Sequence, residues 1–525
     1  MAETPRVVVV GAGVGGLVSA LLLAHRGLDV TLVESADGPG GKMRPLMVGG
    51  AEIDAGPTVM TMRWVFDELL ADAGASAADL PALQPLQVLA RHAWADGGPG
   101  LDLFADRRRS VDAIAAFSSP AEARRFDAFC DEAARVYRRL EGPYIRSGRP
   151  TVPQMIADLG LRGLATLSAL GPFASLMQAL TRRLHDARLQ QLFGRYATYC
   201  GGSPWLAPAT LMLVAHVEQQ GVWSVKGGMA ALARSLAALA ERRGARLRYD
   251  TACAGIEVRQ GRVSGVRLRG GERLRADAVV FNGDASALAW HLPEALRPRA
   301  PAPVAAADRS LSAVTWAIHA PTTGFALQRH NVFFDRDYAS EFDDIFNARR
   351  LPARGTVYVC AQDRTDGDGT VPVPAAERLL MLVNAPADGD HRPFDASETD
   401  PCQDRALSLL RRCGLHLDLS HPQQVTRRTP ADFARLFPGS GGALYGPATH
   451  GWMTLFRRPA AQTALPGLFL AGGSVHPGPG VPMAAMSGRL AAATLMAHLD
   501  STHRSSRVLI SGGTSMPSAT TAAMP

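Results

Sequence analysis

Lysine is almost missing. Of the 55 basic residues in a chain of 525, only Lys42 and Lys226 are lysines, and the formal net charge is a modest +7. The arginines are scattered, with no dense basic stripe carrying interleaved aromatics, which argues against a nucleic-acid groove. The six cysteines form no C-x-x-C pair, which excludes a zinc ribbon, a dithiol redox motif and a disulfide framework, and fits a reducing compartment. The fourteen histidines show no H-E-x-x-H arrangement, so no metal site is expected. No unbroken apolar run reaches the length of a membrane span, and no repeat of fixed period stands out. An apolar strand begins at Val7, so no signal peptide is expected ahead of it.

What is present is ordinary globular composition, 47% apolar and 20% charged, with length for more than one core. Each lysine touches a Gly-Gly pair, Gly40-Gly41-Lys42 and Lys226-Gly227-Gly228. A compact ammonium in a chain that otherwise uses guanidinium marks both as candidates for a chemical role. Val7–Val10 reads as a buried strand, Leu17–Arg26 as a helix, and Val30–Val33 as a second strand closed by Glu34. The segment 63–220 reads as mostly helical. Its most apolar stretch, Leu164–Leu180, is flanked by arginines and split at Gly171-Pro172. That stretch is read first as a buried helix of a substrate domain, and second as a segment dipping into a bilayer. A helix over Gly228–Arg242, β-rich sequence to Phe281, mixed strands and loops from 311 to 430, a strand at Gly467–Ala471 and a helix over Met483–Leu499 follow.

Between the first two strands lies Gly11-Ala12-Gly13-Val14-Gly15-Gly16. G-x-G-x-x-G alone is weak, but here a strand precedes it, a helix follows, and Glu34 ends the next strand. In that context Gly11 permits the tight turn, Gly13 lets backbone approach a pyrophosphate, and Gly16 packs helix on strand. A diphosphate then sits at the positive end of the helix, with Glu34 accepting from a ribose.

Gly38-Pro39-Gly40-Gly41-Lys42, Asp54-Ala55-Gly56-Pro57-Thr58 and the distant strand and loop Gly467 to Pro482 together resemble the flavin amine oxidase and phytoene desaturase superfamily. Gly56-Pro57-Thr58, Asn331-Val332-Phe333-Phe334 and His476 to Pro482 resemble the carotenoid desaturase signatures, and the stretch Gly56 to Phe66 with Gly472 to Pro477 most resembles the hydroxyneurosporene desaturases (1-hydroxycarotenoid 3,4-desaturases) of photosynthetic bacteria. The resemblance implies an α/β fold. A discontinuous Rossmann-type FAD-binding domain (1–62, 221–300 and 445–500) would surround a helical substrate or membrane-facing region (63–220) and an α+β substrate domain (301–444), with 501–525 a disordered tail.

The resemblance also implies FAD as cofactor. It places Gly11, Ala12, Gly13, Gly16, Glu34, Cys253 and Asn282 at the adenosine-diphosphate end. Lys42, Gly56, Pro57, Thr58, Gly472, Gly473, Gly480, Val481, Pro482 and Met483 fall at the flavin end. Many flavoproteins carry an acid where this chain has Gly473, so another group must meet the ribityl chain. The implied reaction introduces a 3,4 double bond into an acyclic 1-hydroxycarotenoid, with hydride leaving carbon 4 for the flavin and a proton leaving carbon 3. The alternative is a phytoene desaturase or another flavin oxidoreductase of the superfamily. His450, His476 and Lys226 are candidates for a proton role, and Phe333, Phe334 and Trp452 for a substrate tunnel. Implied partners are the carotenoid, a membrane surface and oxygen or a quinone as electron acceptor, with the protein on the cytoplasmic face of the inner or photosynthetic membrane.

Overall fold

In the computed structural model, which describes residues 4–171, 173–364 and 374–510, a five-stranded parallel sheet holds the N-terminus. Its strand order is Leu468–Leu470, Ala278–Phe281, Arg6–Val10 (β1), Asp29–Val33 (β2) and Arg246–Arg248. Three widely separated stretches of chain therefore build one sheet. Both faces are covered, which explains the unbroken valine run of β1. Val7 and Val9 enter a core with helix Val14–His25 (α1), helix Gly228–Arg242 and the C-terminal helix Val481–Ile510. Val8 and Val10 enter the opposite core, covered by the antiparallel strands Cys253–Arg259 and Arg262–Leu268.

A second, seven-stranded sheet is mixed, in the order Val425–Arg428, Ser312–Ala320, Glu377–Ala385, Val357–Ala361, His330–Phe334, Val88–Trp94, Leu101–Phe104. Helices between Arg107 and Gln219 cover one of its faces. The α/β class expected from the sequence is thus what is found.

Two details differ from the sequence reading, and the split expected in the apolar stretch is found. The region 63–220 is not helical throughout, because Val88–Trp94 and Leu101–Phe104 join the seven-stranded sheet, with Asn331–Phe334 pairing in parallel with Arg91–Trp94. The apolar stretch 164–180 is broken at Gly171 (φ +81°) into the end of helix Val152–Leu170 and the separate helix Leu176–Arg183, capped by Ser175. No helix among the described residues is long and apolar enough to cross a membrane. The last helix runs on to Ile510, through the first part of the segment read as a disordered tail; 511–525 lie outside the described residues, as does all beyond Arg364 of a turn that the sequence predicts over Asp363–Gly369.

Candidate active site

Three loops converge at the C-terminal ends of the parallel strands, and glycine is what lets them. Gly11 sits at φ +101° and its N–H donates to the Val33 carbonyl (2.8 Å), tying the loop to β2. A Cβ on Gly16 would lie 2.1 Å from the Gly11 carbonyl, and one on Gly13 would lie 2.9 Å from Asn282 Nδ2. α1 opens at Gly13 with no side-chain cap and no acid in its first turn. Its first N–H groups are therefore free of side-chain acceptors, as a site for an anionic diphosphate requires.

Glu34 stands at the end of β2, almost fully buried. Its Oε2 accepts from the Ala12 N–H (2.7 Å) and its Oε1 from the Ala36 N–H (2.9 Å) and Ser35 Oγ (3.0 Å). Each carboxylate oxygen has two lone pairs, so Oε2 keeps one for a ribose hydroxyl. The backbone after Arg246–Arg248 runs alongside, with Thr251 N–H donating to the Glu34 carbonyl (2.7 Å), and Cys253 follows at the edge of the second core.

The C-terminal loop closes the cradle. Gly472 (φ +117°) donates its N–H to Ser487 Oγ (2.6 Å) on the C-terminal helix. That helix crosses α1 on small residues: Ser19 Oγ lies 2.9 Å from the Gly15 carbonyl and 3.1 Å from that of Gly488, whose Cβ would be 2.4 Å from the Gly15 carbonyl. Pro482 lies in the first turn, where its lack of an N–H costs no helix bond, and the N–H of Ala484 donates to the Gly480 carbonyl (2.9 Å). Met483 packs partly buried on the α1 core.

Asn282 is the hub. Its Nδ2 donates to the Gly11 carbonyl (3.2 Å), and its side chain is what Cβ atoms on Gly13, Gly15, Gly16 or Gly472 would meet. Its Oδ1 is buried with no protein partner. This goes beyond a position beside the adenine, because one side chain holds the first and last loops at a common distance.

The Gly-Pro-Thr segment packs against the same assembly. A Cβ on Gly56 would sit 1.9 Å from the Lys42 carbonyl, and Gly40 N–H donates to the Ala12 carbonyl (2.9 Å). Beyond Pro57, Thr58 Oγ1 lies 2.7 Å from Tyr358 Oη. Lys42 reaches sideways: its Nζ donates to the Leu444 carbonyl (2.6 Å) and lies over the Phe437 ring, and burial pulls its pKa down.

The other candidates fare differently. Lys226 is exposed, with only its backbone N–H engaged, to the Ala82 carbonyl. His450 Nε2 accepts from the Ser203 N–H (2.9 Å), so its lone pair holds a loop; burial takes its pKa to about 4. His476 Nε2 donates to the Ser147 carbonyl (3.1 Å), its ring edge-on to Tyr144, again with a pKa of about 4 from burial. Each histidine is thus held by backbone through Nε2, while His476 Nδ1 is buried with no partner among the described residues. Phe333 and Phe334 are fully buried on opposite faces of the seven-stranded sheet, in separate cores, so they are core residues rather than a tunnel wall. Trp452 is 40% exposed.

Arg458 had no sequence signal, and Asp54 was visible only as the first residue of a motif, with no sign of its role. Arg458, buried, donates to the carbonyls of Tyr445, Pro447 and Gly473 (3.0–3.1 Å), which fixes the loop at Gly473; burial lowers its pKa. Asp54 accepts from the N–H groups of Met229 (2.7 Å) and Ala230 (3.1 Å), capping helix Gly228–Arg242 from a strand far away in sequence. A surface cleft of about 240 Å³ between Leu22, Asp72, Arg146 and Arg489 contains none of these loops and is crossed by the Arg489 ion pairs to Glu68 and Asp72.

The cradle fits FAD: a glycine loop at an uncapped helix start, a ribose acceptor at the next strand end, and a second glycine loop held over both. Comparison with known proteins agrees. Residues 14–496 match the family model for flavin-containing amine oxidoreductases. A hydroxyneurosporene desaturase of Rubrivivax gelatinosus is 66% identical, across 99% of both chains, and one of Cereibacter sphaeroides is 44% identical across 95% of this chain and 99% of its own. A 4,4'-diapolycopene oxygenase of Methylomonas is 29% identical across 95% of this chain and 99% of its own. Among solved structures, a putrescine oxidase bound to putrescine has a TM-score of 0.57 at 15% identity, covering 94% of this chain and 99% of its own, which speaks to the fold.

Proposed function

The chain belongs to the flavin-containing amine oxidoreductase family, and on that premise we propose that it is an FAD-dependent desaturase of acyclic 1-hydroxycarotenoids. The observation that carries this reading is the full-length likeness, at 66% identity, to a hydroxyneurosporene desaturase. Bound FAD supplies a two-electron acceptor for the hydride that leaves carbon 4 of the substrate. The protein's part is positional. The N–H groups at the start of α1 hold the diphosphate, Glu34 the ribose, and Arg458 and Ser487 fix the Gly472–Gly473 turn. The N–H groups at the start of the C-terminal helix, Val481 and Met483, offer a positive end to negative charge. The polyene delocalises the cation left at carbon 4, so loss of the carbon 3 proton needs no strong protein base. Both candidate histidines engage the backbone through Nε2. The final electron acceptor is read as oxygen or a quinone.

The test is incubation of the yellow, flavin-loaded protein with 1-hydroxyneurosporene, lycopene and phytoene, followed by absorbance spectra. Extended conjugation should appear first with the hydroxylated substrate; conversion of phytoene in preference would overturn the reading.

A forty-carbon hydrocarbon is drawn from lipid, and one face of the molecule suits that. Leu161 (88% exposed), Phe173 (79%), Leu206 and Trp452 are large apolar side chains at the surface, and the Phe173 and Trp452 rings meet at 6.3 Å. This face is proposed to sit in the headgroup layer on the cytoplasmic side of the membrane, with arginines at its margin. Flotation with anionic vesicles should carry the wild type upward and leave Leu161→Glu/Phe173→Glu behind. A wild type that stays at the bottom would refute the membrane placement.

A further inference from the structure

Arg195 is a cation in the substrate half that is tied to a carboxylate, Glu218, only through Tyr199. Among the described residues no carboxylate forms an ion pair with it, and its one hydrogen bond is from Nη1 to Tyr199 Oη (3.1 Å). Its guanidinium lies over the rings of Tyr199 (5.2 Å to centroid) and Tyr358 (5.3 Å). Arg195 is only partly buried, and of its five N–H donors one meets an acceptor among the described residues. Tyr199 is in turn tied to Glu218, which also accepts from Tyr196 Oη (2.6 Å), so the base of the site is rigid. On the far side His330 Nδ1 meets Tyr358 Oη (2.7 Å), while its Nε2 is fully buried with no partner. Orphaned polar atoms in a dry interior are costly unless a ligand or water completes them.

This cluster adjoins the cofactor cradle by two routes. Tyr358 Oη meets Thr58, which follows the Gly56 backbone packed on Lys42; and Arg195 lies within electrostatic reach of Tyr445, beside the Leu444 carbonyl held by Lys42. An otherwise apolar polyene has one polar group near its reacting carbons: the hydroxyl on carbon 1, two bonds from carbon 3. The Tyr199–Tyr358 pair, which could cage an ammonium, is already filled by the guanidinium, so the site suits an alcohol and not an amine.

We propose that Arg195, backed by Tyr199, Tyr358 and His330, reads the carbon 1 hydroxyl of the substrate and sets the end of the polyene against the flavin. Resting on the desaturase reading above, this makes Arg195 a specificity-determining residue. The hydroxyl accepts from the guanidinium and donates toward His330 Nε2.

The experiment compares kcat and KM for 1-hydroxyneurosporene and for neurosporene in the wild type, Arg195→Gln and Tyr199→Phe, each checked for full flavin content by its visible spectrum. The wild-type preference for the hydroxylated substrate should fall about 10- to 100-fold in Arg195→Gln and by a smaller factor in Tyr199→Phe. Arg195→Lys, which restores a charged donor, should recover part of it. A flavin-loaded Arg195→Gln that keeps the wild-type preference would overturn the assignment. So would a Tyr199→Phe that keeps it, should Arg195→Gln fail to fold. A wild type showing no preference at all would instead overturn the desaturase reading on which it rests.

Discussion

Gly16→Ala is the sharpest perturbation of the cradle. The added Cβ would stand 2.1 Å from the Gly11 carbonyl and 2.9 Å from Asn282 Nδ2, where ordinary contact begins at 3.4 Å. Neither neighbour is the loose end of a flexible chain. The Gly11 carbonyl belongs to a residue whose N–H is tied to Val33, and Asn282 donates to that same carbonyl. The loop must therefore retreat by about 1 Å, and overpacking of this kind costs about 1–3 kcal/mol. The diphosphate is held by this loop's backbone, so most of that cost should appear in cofactor binding, as FAD affinity lowered about 5- to 100-fold. The assay is titration of deflavinated protein with FAD, following quenching of flavin fluorescence. Gly38→Ala is the matched control, because nothing lies within 4 Å of its Cβ. Gly16→Ala binding FAD within about twofold of wild type, with Gly38→Ala the same, would show that the loop is not the diphosphate cradle.

Asp54→Ala leaves the N–H groups of Met229 and Ala230 without their acceptor and should lower stability by about 1–2 kcal/mol, read as a shift in the urea midpoint. Asn282→Asp sets a carboxylate against the Gly11 carbonyl and beside the diphosphate, and should reduce FAD content on purification while the flavin-free protein stays folded by circular dichroism. His92, His330 and His476 are held neutral by burial, with pKa values of about 4, 3 and 4. The unfolded chain takes up their protons first as pH falls below about 6.5, so the stability they contribute is complete above that pH and is lost progressively down to their folded values. Each should cost about 1.4 kcal/mol by pH 5.5. Unfolding midpoints measured from pH 7 to 5 should fall steeply in wild type and less so in His92→Gln; a flat profile would refute the neutral buried state.

The legible parts of this molecule were the local ones. β1, the glycine loop, α1, β2 and Glu34 lie within a few dozen residues, and their periodicity and turn chemistry suffice to place them. Gly228–Arg242 and Ala278–Phe281 could be delimited for the same reason. Val88–Trp94 was missed because its parallel partner, His330–Phe334, is more than two hundred residues away, and the edge strand Leu101–Phe104, though its hairpin with Val88–Trp94 is local, was lost with it.

The same distance explains which functional residues stayed hidden. Asn282 could be found because it ends a strand of recognisable pattern. The role of Asp54 could not be read from its motif, and the arginines Arg458 and Arg195 could not be found at all, since each acts only through segments that folding brings to it. Among 53 arginines, those two are set apart by what surrounds them: Arg458 is buried against carbonyls alone, and Arg195 is left with donors to spare. The scarcity of lysine pointed instead at Lys42, which is half-buried, and Lys226, which is exposed. Of the two, only Lys42 touches the assembled loops, and it does so through a backbone carbonyl of the distant 444 segment. A fold that binds its cofactor with backbone and glycine leaves little side-chain signature there. Its substrate preference is then carried by a few polar residues in the other half, so a glycine motif can identify the cofactor without indicating what is oxidised.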